Sequence, residues 1–290
     1  MYGAIACQHK TVFASKDGEY FSPEQMPRHL CYIQELLLVQ TTPGLYVHEL
    51  PFESNPYFYI TKLAKFYKNL QFCMDIVVKK HFESKGHRSP VYGLAHYVSG
   101  QILSGGGEGW ITSWDIADPE NGRLIAQADT SVFCLNYFEP AKLILAGDRN
   151  GVLYFIENTG NVVKKYAHQG EIFALNVVGE YLYSIGKDGW LVKWDLHRMD
   201  ALQSIQLSYT SLRSFVHSEK SGKAYIGDSN GIVHILDLDT MASLLNFQAH
   251  DSTVFSLELN EQNKLISGGK DAHLRLWDTD KFTHPLVDHP

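Results

Sequence analysis

Five stretches of this chain are versions of one sentence: ILSGGGEGWITSWD (102–115), LILAGDRNGVLYFIE (143–157), LYSIGKDGWLVKWD (182–195), AYIGDSNGIVHILD (224–237) and LISGGKDAHLRLWD (265–278). Each has an apolar strand running into small residues, a turn at Glu108, Asn150, Asp188, Asn230 or Asp271, and a second, alternating strand. The turns stand 42, 38, 42 and 41 residues apart. An acid or amide followed by glycine (Ala272 in the last copy) suits a tight turn between antiparallel strands, because both residue types tolerate the left-handed backbone. In AHLRLWD, Leu274 and Leu276 fall on one face, and His273, Arg275 and Trp277 on the other. Further pairs of short strands precede the units, as in VVKKYAHQGEIFALNV (162–177) and LNFQAHDSTVFSLEL (245–259). Four short strands per repeat with no helical pattern between them cannot bury both faces of their small sheet alone. Several such sheets packed in a ring can, so the expected fold is all-β, a propeller of four-stranded blades.

The repeats resemble WD40 repeats. Trp-Asp stands at 114–115, 194–195 and 277–278, and the family's Gly-His pair is matched at His87 and, as Ala-His, at His168 and His250. The phrasing of 249–278 is similar to stand-alone bacterial WD40 proteins. The resemblance implies structural tetrads of histidine, strand serine, turn acid and tryptophan. By position these are His87, Ser104, Glu108 and Trp114; His168, Ser184, Asp188 and Trp194; and His250, Ser267, Asp271 and Trp277. The two remaining copies depart from the pattern. They carry Asp129 and Tyr209 near the histidine position, Asn150 and Asn230 at the turn, and Ile156 and Leu236 for tryptophan. Those two blades are expected to be held by apolar packing alone.

Residues 87–290 thus read as five WD40-type blades. Residues 1–86 read as two divergent blades, giving seven. His9, His48 and His87 stand 39 apart, KTVFASKDGEYFS (10–22) and LLLVQTTPGLYVHEL (36–50) look like strand–turn–strand pieces, and Met74-Asp75 can be laid on the Trp-Asp position. The competing reading is a separate N-terminal segment before five blades that form an incomplete ring, or one completed by other material. It is fed by SPEQMPRHLCYIQELLLVQ (22–40), a short helix after a serine cap, and by the proline and asparagine of ELPFESNPYF (49–58).

Three copies of one Ser/His/Asp/Trp set argue for a structural device, since an active site is normally built once. Elsewhere there is no GxSxG elbow, no P-loop and no HExxH. SGGGEGW is a strand ending in a turn, and His284 and His289 near the end make a weak pair. No catalytic residue, cofactor or metal is therefore expected. The net charge of −7 argues against nucleic acid as a partner, with Lys79, Lys80, Lys85 and Arg88 taken as a solvated face. Four scattered cysteines read as free thiols in a reducing compartment, and neither a leader nor an apolar membrane span is expected, so the chain reads as cytoplasmic.

The expected function is a non-enzymatic scaffold that binds one or more proteins. By the resemblance, the histidine loops and tight turns share one rim. That rim would display Arg88, Trp110, Arg149, Gln169, Lys187, Trp190, Tyr209, Asp251, Lys270 and His273. Trp110 and Trp190 have no tetrad task, and aromatics with arginine are what interface hot spots favour. Packing between blades is the other reading of these two. The alternative function is an enzyme or small-molecule sensor using the central channel.

Overall fold

The computed structural model describes residues 29–33, 36–41, 44–49, 79–279, 281 and 285–289. They form six four-stranded antiparallel sheets, each built from strands consecutive in the chain. The first sheet is β1 (His29–Ile33), β2 (Leu36–Thr41), β3 (Gly44–Glu49) and β4 (Lys79–Ser84). The second is β5 (Val91–His96), β6 (Gln101–Gly106), β7 (Trp110–Asp115) and β8 (Asp118–Gln127). The third is β9 (Val132–Phe138), β10 (Leu143–Asp148), β11 (Val152–Glu157) and β12 (Val162–Tyr166). The fourth comprises β13 (Ile172–Val178), β14 (Tyr181–Gly186), β15 (Trp190–Asp195) and β16 (Asp200–Gln206). The fifth is β17 (Leu212–His217), β18 (Lys223–Asp228), β19 (Ile232–Asp237) and β20 (Ala242–Gln248). The sixth holds β21 (Val254–Leu259), β22 (Leu265–Gly269), β23 (Leu274–Trp277) and β24 (Val287–His289).

The repeated sentence is the central hairpin of each of the last five sheets. Its turn needs glycine for a specific reason. Gly151 and Gly189 adopt φ of 82° and 78°, and a Cβ there would sit on the carbonyl oxygens of His168 and Ser208. Those loop residues lie against the turn because their N–H groups bond the glycine carbonyl: His168 to Gly151, Ser208 to Gly189. The turn thereby fastens the loop that leads to the next sheet.

Neighbouring sheets pack through their first strands, β5 on β9, β9 on β13, β13 on β17 and β17 on β21, which makes these the inner strands of the ring. The core is not a central mass but a series of wedges between sheets. Leu103 and Ile111 of the second sheet meet Val132 and Tyr154 of the third. Phe155 meets Trp194, Ile185 meets Leu212, and Tyr225 lies in one cluster with Trp277. Each buried Leu, Ile or Val side chain contributes about 1.5–3 kcal/mol. Side chains on the inner strands also bond across to the next sheet. Asn136 donates to the Leu175 carbonyl at 3.1 Å, Asn176 to Phe215 at 3.2 Å and Ser214 to Val254 at 3.3 Å. Cys134 is buried and free, and burial pushes its thiol pKa up, so it is inert packing.

Residues 29–84 supply one sheet. The strand–turn–strand expected at 36–50 is β2–β3, paired from Leu36↔Glu49 to Thr41↔Gly44. The helix considered for 22–40 is not formed where the residues are described: HLCYI and LLLVQT pair as strands, His29 opposite Gln40. Pairing satisfies both backbones and suits their branched and aromatic residues better than a helix would. His48 lies inside β3, so it does not occupy the blade-opening loop that the 39-residue ladder assigns to it. His9 and Met74-Asp75 lie outside the described residues, as do 1–28 and 50–78, on which a second N-terminal blade depends.

Candidate functional site

The start of each inner strand, the tight turn, and the loop before the next sheet meet at one end of the molecule, since Val91 is paired with Gly106, and Ile172 with Gly186. Three sheets place a hydrogen-bonded chain of four side chains there. In the fourth, Trp194 Nε1–H donates to Ser184 Oγ at 3.0 Å, His168 Nε2 lies 2.8 Å from that oxygen, and His168 Nδ1 lies 2.9 Å from Asp188. The sixth repeats it with Trp277, Ser267, His250 and Asp271 at 2.8, 2.8 and 2.9 Å. The second does so with Trp114, Ser104, His87 and Glu108 at 2.6, 2.7 and 2.5 Å. The chain of bonds from indole to carboxylate closes if Ser O–H donates to Nε2 and Nδ1–H donates to the carboxylate. The three serines are fully buried.

The carboxylates do further work. Asp188 accepts the backbone N–H of Gln169 and Trp190, and Asp271 those of Asp251 and His273. Burial raises both carboxyl pKa values, but the histidine bond and these amides outweigh it. Asp188 falls below the usual range and Asp271 falls to about 2. Burial also lowers His250, beyond what Asp271 restores, so its imidazole is neutral. Glu108 is one methylene longer and reaches His87 with one oxygen, while Oε2 is buried with no partner among the described residues.

The third and fifth sheets are not held by apolar packing alone. Asp148 and Asp228, both fully buried, stand two residues before the expected turn positions. Asp148 accepts N–H from Asn150 and Val152 and the hydroxyl of Tyr154 at 3.0 Å, and Tyr154 Oη in turn accepts the Asp129 N–H. Asp228 accepts N–H from Asn230 and Ile232, the Ser208 hydroxyl at 2.8 Å and His234 Nε2–H at 3.2 Å. The physical reason is a trade of volume. In the tetrad sheets the equivalent positions are Gly106, Gly186 and Gly269, where a Cβ would strike the imidazole of His87, His168 or His250. Where no histidine fills that space, an aspartate does. The repeated GDRNGVLY and GDSNGIVH carry the signal in the sequence. Arg275 stands at the position of Tyr154 and His234. It donates to Asp271 at 2.9 Å, to the Ala249 carbonyl at 2.7 Å and to Asp288 of β24 at 3.0 Å.

The rim candidates separate into two groups. Tyr209 is 96% exposed and Trp190 37% exposed, and Arg149, Gln169, Asp251 and Lys270 are exposed. Others are committed: Arg88 lies over the Trp110 ring at 5.5 Å, Lys187 pairs with Glu171 at 3.0 Å, and His273 Nδ1 is 2.6 Å from Asp288. Tyr209 does not substitute for the missing histidine, a task taken by its neighbour Ser208. At the opposite end, a cleft of about 360 Å³ opens between the second and third sheets beside Tyr97, Arg123, Tyr137 and Lys142. Among the described residues no group of three or more His, Cys, Asp or Glu is placed to hold a metal ion, and no helix is long and apolar enough to cross a membrane.

A ring of consecutive four-stranded antiparallel sheets defines a β-propeller. The WD domain, G-beta repeat family matches at residues 241–278, the stretch that carries His250, Ser267, Asp271 and Trp277. The chain is 24% identical over 212 residues to the mouse (Mus musculus) F-box-like/WD repeat-containing protein TBL1X, covering 67% of this chain and 40% of that one. It is 20% identical over 195 residues to the WD repeat-containing protein 91 homolog of Dictyostelium discoideum, covering 62% and 25%. It is 23% identical over 198 residues to a p21-activated protein kinase-interacting protein 1-like protein of Danio rerio, covering 66% and 53%. The matches thus span between a quarter and about half of these relatives. Among solved structures, the WD40 β-propeller domain of Doa1 superposes with a TM-score of 0.68 at 12% identity, over 88% of this chain and 79% of that one. The computationally designed Ika8 protein does so with 0.66 at 18%, over 90% and 74%. At those identities the likeness is one of fold. These comparisons support the WD40-repeat family.

Proposed function

We propose that this chain is a non-enzymatic WD40 propeller that serves, in the cytoplasm, as a protein–protein interaction scaffold through the rim where the tetrads stand. The observation that carries this reading is the division of labour at that rim. Its buried polar side chains are engaged in sets repeated from sheet to sheet, while Tyr209, Trp190 and Arg149 remain exposed, residue types that interface hot spots favour. The tetrads are structural in this reading. Residues 87–290 form five blades and residues 1–86 supply the rest of a seven-bladed ring, in keeping with the likeness to stand-alone bacterial WD40 proteins. One relative is named as a kinase-interacting protein, which accords with a binding role.

The test is affinity capture from native cytosol with the wild-type chain beside a Trp190→Ala/Tyr209→Ala variant that melts like wild type. His273 is left intact because its bond to Asp288 holds an edge strand. A stoichiometric protein captured by wild type and lost by the variant is the expected outcome. Equal capture by both baits removes Trp190 and Tyr209 from the reading. No capture by either bait removes the scaffold and turns attention to ligands of the central channel.

A further inference from the structure

Five of the six sheets repeat a second feature at the tetrad end. In β5, β9, β13, β17 and β21 the register with the neighbouring strand slips by one residue near the strand start, a β-bulge. The bulged residues are Tyr92, Phe133, Phe173, Arg213 and Phe255. A bulge re-aims its side chain away from the alternating pattern. Here it turns bulky groups toward the inner margin of the rim, where all five remain half-buried or exposed. The first four touch in succession. Tyr92 and Phe133 lie 4.9 Å apart between ring centroids, Phe133 and Phe173 6.1 Å, and the Arg213 guanidinium carbon lies 3.9 Å from the Phe173 ring centroid. An unbroken arc of three rings and a guanidinium thus crosses four sheets.

Arg213 is unusual within it. It is half-buried, its Nε–H donates to Ser229 Oγ at 3.1 Å, and among the described residues no carboxylate lies within ion-pair distance of it. Burial lowers its pKa, and nearby Glu171, already engaged by Lys187, only partly opposes this. A partly desolvated cation without an anion is costly unless something completes it. Arg149 and Lys270 add charge on the same margin. Their backbone N–H groups bond Ser131 and Thr253, which each stand two residues before a bulge. Glu171, in the equivalent place before the fourth sheet's bulge, is already paired with Lys187.

We propose that the arc Tyr92–Phe133–Phe173–Arg213 seats an extended acidic peptide of a partner protein, with an apolar or aromatic side chain on the phenylalanine rings and a carboxylate on Arg213. This rests on the scaffold reading above and assigns the partner's chemistry. The rings favour a peptide over single-stranded nucleic acid. They lean on one another at 53° and 46° and leave no parallel faces between which a base could stack.

The test uses the full chain and a random-peptide display library as probe, followed by titration of the best peptide against wild type, Arg213→Gln, Arg213→Lys, Phe173→Ala and Trp190→Ala/Tyr209→Ala. Selected peptides are expected to carry an aromatic residue flanked by Asp or Glu, and their binding is expected to weaken with salt. Affinity should fall by about tenfold or more in Arg213→Gln and Phe173→Ala, less in Arg213→Lys, and stay unchanged in the outer-rim variant. Melting curves set aside any variant that fails to fold, and Arg213→Gln is expected to melt no lower than wild type. Basic or uncharged peptides, no enrichment, binding indifferent to Arg213 and Phe173, or displacement of the peptide by single-stranded RNA would each overturn the proposal. A cytosolic partner lost only by the outer-rim variant sinks this inference and leaves the scaffold standing. Absence of both partner and peptide sinks both.

Discussion

The fourth and fifth sheets share a backbone plan, yet they secure the same corner with different atoms. In the fourth, the turn acid Asp188 reaches outward to a histidine, and the chain continues through Ser184 to a buried tryptophan. In the fifth, the acid has moved inward to Asp228, into the space an imidazole would take, and draws its donors from the turn itself, from Ser208 and from His234. The third sheet follows the second plan with Asp148 and Tyr154. The lesson is that the corner demands a buried acceptor for the turn amides and a plug for the cavity beside it. The identity of the residue that meets each demand is exchangeable, provided both change together.

The comparison can be broken most severely at Asp228. Asp228→Ala strands two backbone donors, a hydroxyl and an imidazole in a fully buried site, and is expected to cost about 3–5 kcal/mol. Ser184→Ala, which strands one indole N–H and one imidazole nitrogen, should cost less, up to about 3 kcal/mol. Urea titrations that rank them the other way would mean the tetrad is the stronger device. Next in size is the exchange of plugs. Gly186→Asp alone collides with His168, whereas in a His168→Ala background the imidazole is gone and only the Glu171 carbonyl oxygen, 3.0 Å from the new Cβ, still crowds it. A double-mutant cycle should show a favourable coupling of about 1–3 kcal/mol, and additivity would refute the trade of volume.

Acid provides a third test. The folded pKa of Asp271 is about 2, below its unfolded value, so its contribution is complete above pH of about 4 and is lost as pH falls toward 2. That amounts to about 2 kcal/mol. His250 works in the same direction. Its pKa is lowered by burial, so the unfolded state takes up the proton first and stability begins to decline as pH falls through about 6.5. Melting temperature followed from neutral to acidic pH should decline in these two stages, and His250→Gln should flatten the upper one. The smallest effect concerns the second sheet. Glu108→Asp shortens the arm so that both carboxylate oxygens can take partners as they do in Asp188, and it should stabilise by about 0.5–1 kcal/mol. The reverse change, Asp188→Glu, should destabilise by a similar amount in thermal melts.

Much of this corner was legible in the residues. The family resemblance pointed to the tetrad positions, and serine, turn acid and tryptophan keep the same spacing in all three because strand pairing across a tight turn is a local matter. The aspartate plugs were not legible from the turn position itself, where Asn150 and Asn230 stand. That the same end column holds glycine wherever a histidine is present becomes meaningful only when the imbalance of volume is seen. Asp288 was invisible for another reason. Its role depends on β24 pairing Arg275 with it, across a stretch with little strand patterning.

The sequence by itself determined the repeat, the antiparallel hairpin and the choice of polar residues at each turn, since all of these are set by side-chain alternation, turn chemistry and near neighbours in the chain. Only the tertiary structure decided which side chains from different sheets would touch. The arc from Tyr92 to Arg213 joins residues that stand 40 or 41 positions apart in four sheets, through bulges that redirect them from the faces alternation would assign. Strand periodicity carries no information about the neighbouring sheet, and the packing of inner strands around the ring supplies it.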